Sequence, residues 1–286
     1  MNRRGSILVA VLLLASLLTV FVGVAAERLR VASGANRSAA EDIAADVAVK
    51  GTLERLWAAS GGRFERLPPA GSVSYPGIVL DIVARNEGER VDLDLAGEDL
   101  VAGLFRAVGV EEAAAARYAR RIVDWRRDPR RPPEPGRKPT VPAHGVIEHV
   151  RELDAIPEIA KEAIDAIRPF VTVTALDGRV AVLTAPREVV AALPGMTGAK
   201  LEAFMADRTD REGDFDALIR RYGIDRDHVS KEGSSATRLT MVVRIGSHRI
   251  RGYEVVVATL GGDAEPYRIL SWNGNALPAG VAAPGR

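Results

Sequence analysis

The chain has 286 residues, a net charge of +1 and 47% apolar side chains. This length allows one or two domains, and the near-neutral balance excludes a global attraction to nucleic acid or anionic lipid. The absence of cysteine excludes disulfides, thiol chemistry and thiolate metal sites.

The N-terminus organises the rest. A basic leader, Met1 to Arg4, precedes Gly5 and Ser6, and the run from Ile7 to Ala26 carries no charge. A hydrocarbon core is spanned by ~20 apolar helical residues, so this run predicts a membrane helix. Arg3 and Arg4 lie on its N-terminal side, which is the side that stays in the cytoplasm. Three readings stand open: a secretory signal cut after Val24-Ala25-Ala26, a plain anchor, and a prepilin-type leader ending at Gly5. The run exceeds the ~7–15 residues of a secretory h-region, and Gly5 directly before it fits the prepilin reading best.

A helical period continues to about Ala58, with Val31, Ala39, Ile43, Ala44, Val47, Leu53 and Trp57 as its apolar face, and Gly61-Gly62 stops it. Leu67 to Pro76 reads as a loop. Ile78 to Ala84 and the alternating Val91, Leu93 and Leu95 read as two strands of a hairpin around Asn86-Glu-Gly-Glu. From Gly97 the period becomes helical: Leu100 to Val108, ended by Gly109, then Glu111 to Arg127 with Tyr118, Ile122 and Trp125 toward a core. Ala113 to Ala116 offers either core or interface. Asp128 to Pro142 is an Arg- and Pro-rich loop, extended and solvated.

Two short helices follow, Val146–Leu153 and Glu158–Ile167, then extended pieces at Phe170–Thr174 and Val180–Leu183. A helix opened by Pro186 ends at Leu193-Pro-Gly-Met-Thr-Gly198, a helix-hairpin-helix turn in form. Leu153-Asp-Ala-Ile-Pro-Glu-Ile159 is a degenerate copy. Such turns can aim backbone N–H groups at a phosphate, but Glu202 and Asp207 follow Lys200, which favours a packing turn. Phe215, Leu218, Ile219 and Tyr222 form a further core stripe. The chain then switches to period two: Leu239 to Ile245, a Gly246-Ser247 turn, Arg249 to Ala258, and Tyr267 to Trp272, an antiparallel meander.

No pattern points to catalysis. There is no Gly-rich phosphate loop and no Gly-x-Ser-x-Gly. The four histidines, His144, His149, His228 and His248, lack the i,i+4 spacing of a metalloprotease helix. Acid pairs such as Asp92/Asp94 and Glu111/Glu112 read as solvated faces.

The order of these elements resembles the general secretion pathway K family, the large minor pseudopilin of type II secretion. The residues that carry the resemblance are Gly5 before a Glu-free apolar helix, Asp92-Leu-Asp-Leu with Leu104-Phe105 and Asp124-Trp125 after it, Thr184-Ala-Pro with Leu193-Pro-Gly, and the closing Tyr267-Arg-Ile-Leu-Ser-Trp. The resemblance implies an α+β fold in which a pilin-like long N-terminal helix packs on an antiparallel sheet, with a large inserted all-α domain containing helix-hairpin-helix-like turns. The expected layout is a leader at 1–5, an N-terminal helix at 6–60 with 6–26 in the membrane, a pseudopilin α/β domain from 61–95 and 236–275, the inserted domain at 96–235, and a flexible tail at 276–286.

The resemblance also implies prepilin-peptidase cleavage after Gly5, N-methylation at Ser6, and a place at the tip of the periplasmic pseudopilus. The implied partners are the minor pseudopilins I and J, the major pseudopilin and the inner membrane; neither nucleic acid nor a small-molecule substrate is expected. Ala10 supports the tip: ordinary pilins carry a membrane-buried Glu there, which needs a subunit ahead of it as partner. Some relatives bind calcium in the helical domain. Here the loop after Trp125 is Arg-rich where calcium needs oxygen ligands, so no metal site and no cofactor is expected. The alternative function is a DNA-binding minor pilin or competence-type protein that uses the turn at Pro194 to Gly198 and the Arg-rich loop at Asp128 to Pro142.

Overall fold

The computed structural model describes residues 39–130, 136, 138–210, 215–246, 249–260, 266–274 and 276, together with Thr19, Phe21 and Val22. Its elements in chain order are α1 (39–59), β1 (Ala70–Tyr75), β2 (Ile78–Asn86), β3 (Val91–Asp92), α2 (Glu98–Ala107), α3 (Glu112–Trp125), α4 (Lys161–Ile167) and β4 (Val171–Thr172). Then come β5 (Val180–Ala181), α5 (Arg187–Ala191), α6 (Gly198–Asp210), α7 (Phe215–Arg221), β6 (Val229–Ser230), β7 (Ala236–Ile245), β8 (Arg249–Thr259) and β9 (Tyr267–Asn273). Among the described residues no helix is long and apolar enough to cross a membrane. The apolar run at 7–26, apart from Thr19, Phe21 and Val22, lies outside them, as do Gly5, Ser6, Ala10 and all of the tail at 276–286 except residue 276.

Five strands form one antiparallel sheet in the order β1-β2-β7-β8-β9. Period-two alternation puts Leu239, Met241 and Val243 of β7 on the same face as Tyr253, Val255 and Val257 of β8, all fully buried. The meander β7-β8-β9 forms as its alternation predicts, with a bulge between Val256 and Val257. α1 lies on that face and buries Ala45, Ala48, Val49 and Leu53. Small side chains bring the helix close to the sheet. Trp57, Phe64 and Tyr267 close one end, with Phe64 and Tyr267 edge to face at 5.1 Å. The face expected from periodicity is therefore rotated: Ile43 and Val47 point outward, 64% and 63% exposed.

Two strand readings are corrected. The segment expected as a loop before Ile78 contains β1, an exposed edge strand that lacks an apolar alternation. The expected hairpin does not form either. β2 pairs with β1 and β7, while β3 pairs in parallel with β4, about 80 residues on. A 3-10 turn at Glu87–Glu89, begun by Asn86 accepting from Gly88 N–H, carries the chain out of the sheet. Val91 and Leu93 are buried as their alternation requires, but Asp92 between them is buried too and Leu95 is 52% exposed.

Between β2 and β7 the chain builds a second core, separate from the one under α1. It is not all-α: it holds two short parallel pairs, β3 with β4 and β5 with β6. Val146–Leu153 is not a helix but an irregular stretch leading into a 3-10 turn at Val150–Ala155, capped by His149. The stripe at Leu218, Ile219 and Tyr222 is core, as its period requires.

This second core is built from two similar units. Val91, Leu93, Ala96, Leu100, Val101 and Leu104 in the first correspond to Val180, Val182, Ala185, Val189, Val190 and Leu193 in the second, and every one is buried. Each unit closes a strand-to-helix turn with a corresponding backbone bond, Ala96 N–H to Asp92 O at 2.8 Å and Ala185 N–H to Ala181 O at 2.9 Å. Each then turns at a left-handed glycine, Gly109 or Gly195, into a helix that starts three residues later. The degenerate copy has Glu158 at the corresponding point, with φ +61°. The units meet where Gly103 of α2 faces Ala192; a Cβ on Gly103 would lie 1.9 Å from the Ala192 carbonyl oxygen.

Candidate assembly surface

α1 is held at one rotation about its axis. Arg249 Nη1 donates to Glu41 at 2.8 Å and Nη2 to Asp42 at 2.5 Å, and Arg251 reaches Asp42 at 2.6 Å. The Tyr253 hydroxyl donates to Asp46 at 2.7 Å and that of Tyr267 to Glu54 at 2.6 Å. Burial, reinforced by the Asp46 carboxylate, raises the Tyr253 hydroxyl well above its usual range; burial and Glu54 push Tyr267 up to about 12. Both phenols therefore stay protonated as donors. The apolar face of α1 goes to the sheet, the acids grip β8 and β9, and Ile43 and Val47 are left outward on one helical ridge with the exposed Ala40. Such a ridge offers apolar contact to another helix and carries no group suited to catalysis.

A polar joint fixes the helical block relative to the sheet. The chain leaves at Asn86 and returns at Ser234, and these residues bond to each other: Asn86 Nδ2 to Ser234 O and Ser234 N–H to Asn86 Oδ1, both 2.8 Å. Next to them Glu87, 1% exposed, accepts from Arg238 Nε at 2.6 Å and Nη2 at 3.1 Å. The Thr172 hydroxyl also donates to Glu87, and Thr174 does so at 3.2 Å. Arg238 stands on β7 and Thr172 on β4, so one buried carboxylate links the two cores. Removing one partner of such a pair leaves a buried charge uncompensated.

Of the expected site residues, Gly5, Ser6 and Ala10 lie outside the described residues. The turn at Leu193 to Gly198 is formed, with Met196 N–H bonded to Leu193 O at 3.1 Å. Its charges are balanced: Lys200 donates to Gly195 O, and Arg187 pairs with Glu202. This does not favour a phosphate there. In the Arg-rich loop, Arg131 to Pro135 and Arg137 lie outside the described residues, while Lys138 O accepts from Arg120. Ala115 is core, whereas Ala113 and Ala116 are exposed.

The acid pairs are not solvated faces as a class. Asp92 is buried and accepts from Asp94 N–H and Ala175 N–H, both at 2.9 Å. Burial holds its carboxyl above the ordinary range. Glu111 does stay exposed and caps α3 by accepting from Ala113 and Ala114 N–H. His144 stacks on Trp125 at 3.5 Å, and His228 sits 3.3 Å from Asp99. His248 is outside the described residues. Among the described residues no three His, Asp or Glu side chains are grouped to hold a metal.

Glu87, Arg126 and Arg208 escaped the sequence reading. Arg126 donates to the carbonyls of Leu93 and Ala96, the latter at 2.6 Å, and Arg208 to those of Val182 and Ala185 at 3.0 and 2.7 Å. The only sequence signal for this pair is the correspondence of the two units.

Residues 81–176 match the family model for type II secretion system protein K. No curated protein matches the chain. Among solved structures it is similar to one chain of the GspK-GspI-GspJ complex from enterotoxigenic Escherichia coli, with a TM-score of 0.62 and 11% identity, covering 86% of this chain and 99% of that one. That likeness is one of fold: mixed helix and antiparallel sheet.

Proposed function

We propose that this chain, whose match at residues 81–176 and whose fold both support the minor pseudopilin K family of type II secretion, works at the tip of a periplasmic pseudopilus. In this reading it starts assembly of the pseudopilus and supports export of folded proteins across the outer membrane. A prepilin peptidase cuts after Gly5 and Ser6 becomes the methylated N-terminus. The run to Ala26 anchors the chain once through the inner membrane, with the bulk in the periplasm. Ala10 asks for no subunit ahead of it.

The partners are the minor pseudopilins I and J, then the major pseudopilin. The observation that carries the reading is the likeness in fold, over 86% of the chain, to a chain solved in a GspK-GspI-GspJ complex. The ridge at Ala40, Ile43 and Val47 supplies an apolar surface for a neighbouring helix. The reading assigns the chain no enzymatic role.

The test is co-expression of the full chain with the I and J proteins of the same secretion system in membranes, followed by affinity purification in detergent. A stoichiometric ternary complex is expected. Its absence, with all three proteins folded, removes the reading. The N-terminal mass from the same membranes is expected at Ser6, dependent on prepilin peptidase. A terminus at Glu27 indicates a secreted domain instead.

A further inference from the structure

Where the helical block overhangs the sheet there is a cavity of about 400 Å3 between the segment Val171–Thr174, the turn around Val150, and strands β8 and β9. Four arginines line it, Arg90, Arg151, Arg168 and Arg238, against two glutamates, Glu148 and Glu254. Two of the arginines are already satisfied. Arg238 is held by Glu87 and lies 3.4 Å from Glu254, and Arg168 reaches Asp154 and Asp165.

Half-buried Arg90, exposed Arg151 and exposed Glu148 have no ion-pair partner among the described residues, which leaves one net positive charge open at the cavity. Arg90 is half-buried beside Arg238. Glu87, Glu89 and Glu254 stand near enough to ease its charge without bonding to it. A half-buried guanidinium without an acceptor forgoes charge-assisted bonds that a carboxylate would supply in bidentate form.

Among the polar lining residues, the partly exposed Val150 and Leu270 add apolar surface. An inorganic anion has no use for that surface, whereas a peptide with alternating acidic and apolar side chains engages both kinds of lining. The volume admits about three residues of extended chain, at roughly the 300–1,000 Å3 of small-ligand clefts.

We propose that this cavity binds an acidic, partly apolar extended segment of a partner protein, with Arg90 and Arg151 taking its carboxylates. The proposal is independent of the pseudopilus reading and stands on the charge left open at this cavity.

The test uses the full chain in detergent and a fluorescein-labelled peptide, acetyl-Glu-Leu-Glu-Leu-Glu-amide, followed by anisotropy at low salt. Saturable binding is expected that weakens as ionic strength rises. The Arg90→Gln/Arg151→Gln double variant is expected to bind about tenfold more weakly, in proportion to lost charge-assisted bonds. The single variant Arg151→Gln, at an exposed position, keeps the test valid if the double variant fails to fold, and is expected to lose about threefold. Equal binding by Arg151→Gln and by the parent chain overturns the proposal. So does equal binding of the Lys-Leu-Lys-Leu-Lys counterpart. Full displacement of the peptide by millimolar inorganic phosphate overturns it as well, because the cavity is then a small-anion site.

Discussion

The first unit of the helical block, from Val91 to Thr172, and the second, from Val180 to Ser230, start with the same spacing of buried apolar residues and diverge in polar chemistry. Asp92 and Asp94 in the first correspond to Ala181 and Leu183 in the second. The carboxylates have work there: Asp92 ties down the segment at Ala175, and Asp94 accepts from Ile147 N–H at 2.8 Å, anchoring the end of the long loop after α3. The second unit has no comparable loop at this place and fills it with hydrocarbon. An arginine from a following helix satisfies the strand-turn carbonyls in both. Carbonyls at a tight turn need donors whatever the side chains are, whereas the carboxylates are needed only where a long insertion must be tied back.

The largest expected effect comes from moving the polar solution to the wrong unit. Ala181→Asp places a carboxylate where Ala181 is 5% exposed, and the remote Ala175 N–H that serves Asp92 is committed to the first unit. It is expected to lose about 3 kcal/mol at pH 7 in urea unfolding and to recover part of that as the pH falls and the group is protonated. A loss under about 1 kcal/mol would mean that the second unit carries latent donors and that the units are more alike than described.

Next is the crossing of α2 and α5. Gly103→Ala puts a methyl against the Ala192 carbonyl, a backbone atom that cannot swing aside, and is expected to lose about 2–3 kcal/mol. The reciprocal Ala192→Gly removes a methyl at the end of α5 and is expected to lose less than about 1 kcal/mol. Equal effects in the two unfolding curves would contradict the asymmetry of the contact.

Asp92 sharpens the comparison through pH. Its carboxyl in the folded chain is raised from its ordinary value of 3.8, with burial as the main cause. The folded state thus holds this proton more tightly than the unfolded chain does. The stability it contributes is fully present below the ordinary value and is lost as pH rises through the raised folded value. Asp92→Asn is expected to remove that slope, while costing about 1 kcal/mol at pH 7 for the acceptor lost to Ala175 N–H. Parallel stability–pH curves for the parent and the variant would refute the assignment.

The smallest effect on stability is expected away from both units. Ile43→Ser with Val47→Ser is expected to shift unfolding by less than about 0.5 kcal/mol, since both are exposed. The same pair of changes is expected to reduce recovery of the complex with the I and J proteins. Unchanged recovery would assign the ridge no part in assembly.

Much of the local structure was legible from residue order. The alternation from Leu239 to Ile245 and from Arg249 to Ala258 carries both strands, and the stripe at Phe215 to Tyr222 carries its helix, because period and burial agree there. Legibility failed where they part. Ile43 and Val47 have the right spacing for a core face, but small Ala45 and Ala48 allow closer approach to the sheet, so the helix turns that side inward. Asp92 looked solvated because a carboxylate ordinarily is, and only the donors brought by Asp94 and Ala175 make its burial tolerable. Glu87 gave no signal at all: its partners Thr172 and Arg238 are remote in sequence.

The sequence by itself determined the helices around Leu100 to Val108, Glu111 to Arg127 and Phe215 to Tyr222, the closing meander, the turns at Gly109 and Gly195, and the uncharged run before Glu27. These depend on side-chain period and backbone freedom within a few residues. Tertiary structure alone decided that β3 pairs with β4 and β5 with β6, that β1 forms an edge, which side of α1 faces the sheet, and that one buried Glu87–Arg238 pair joins the two cores. Two-residue strands have no period to read, and a buried ion pair is stable only when residues far apart along the chain arrive together with matching hydrogen bonds.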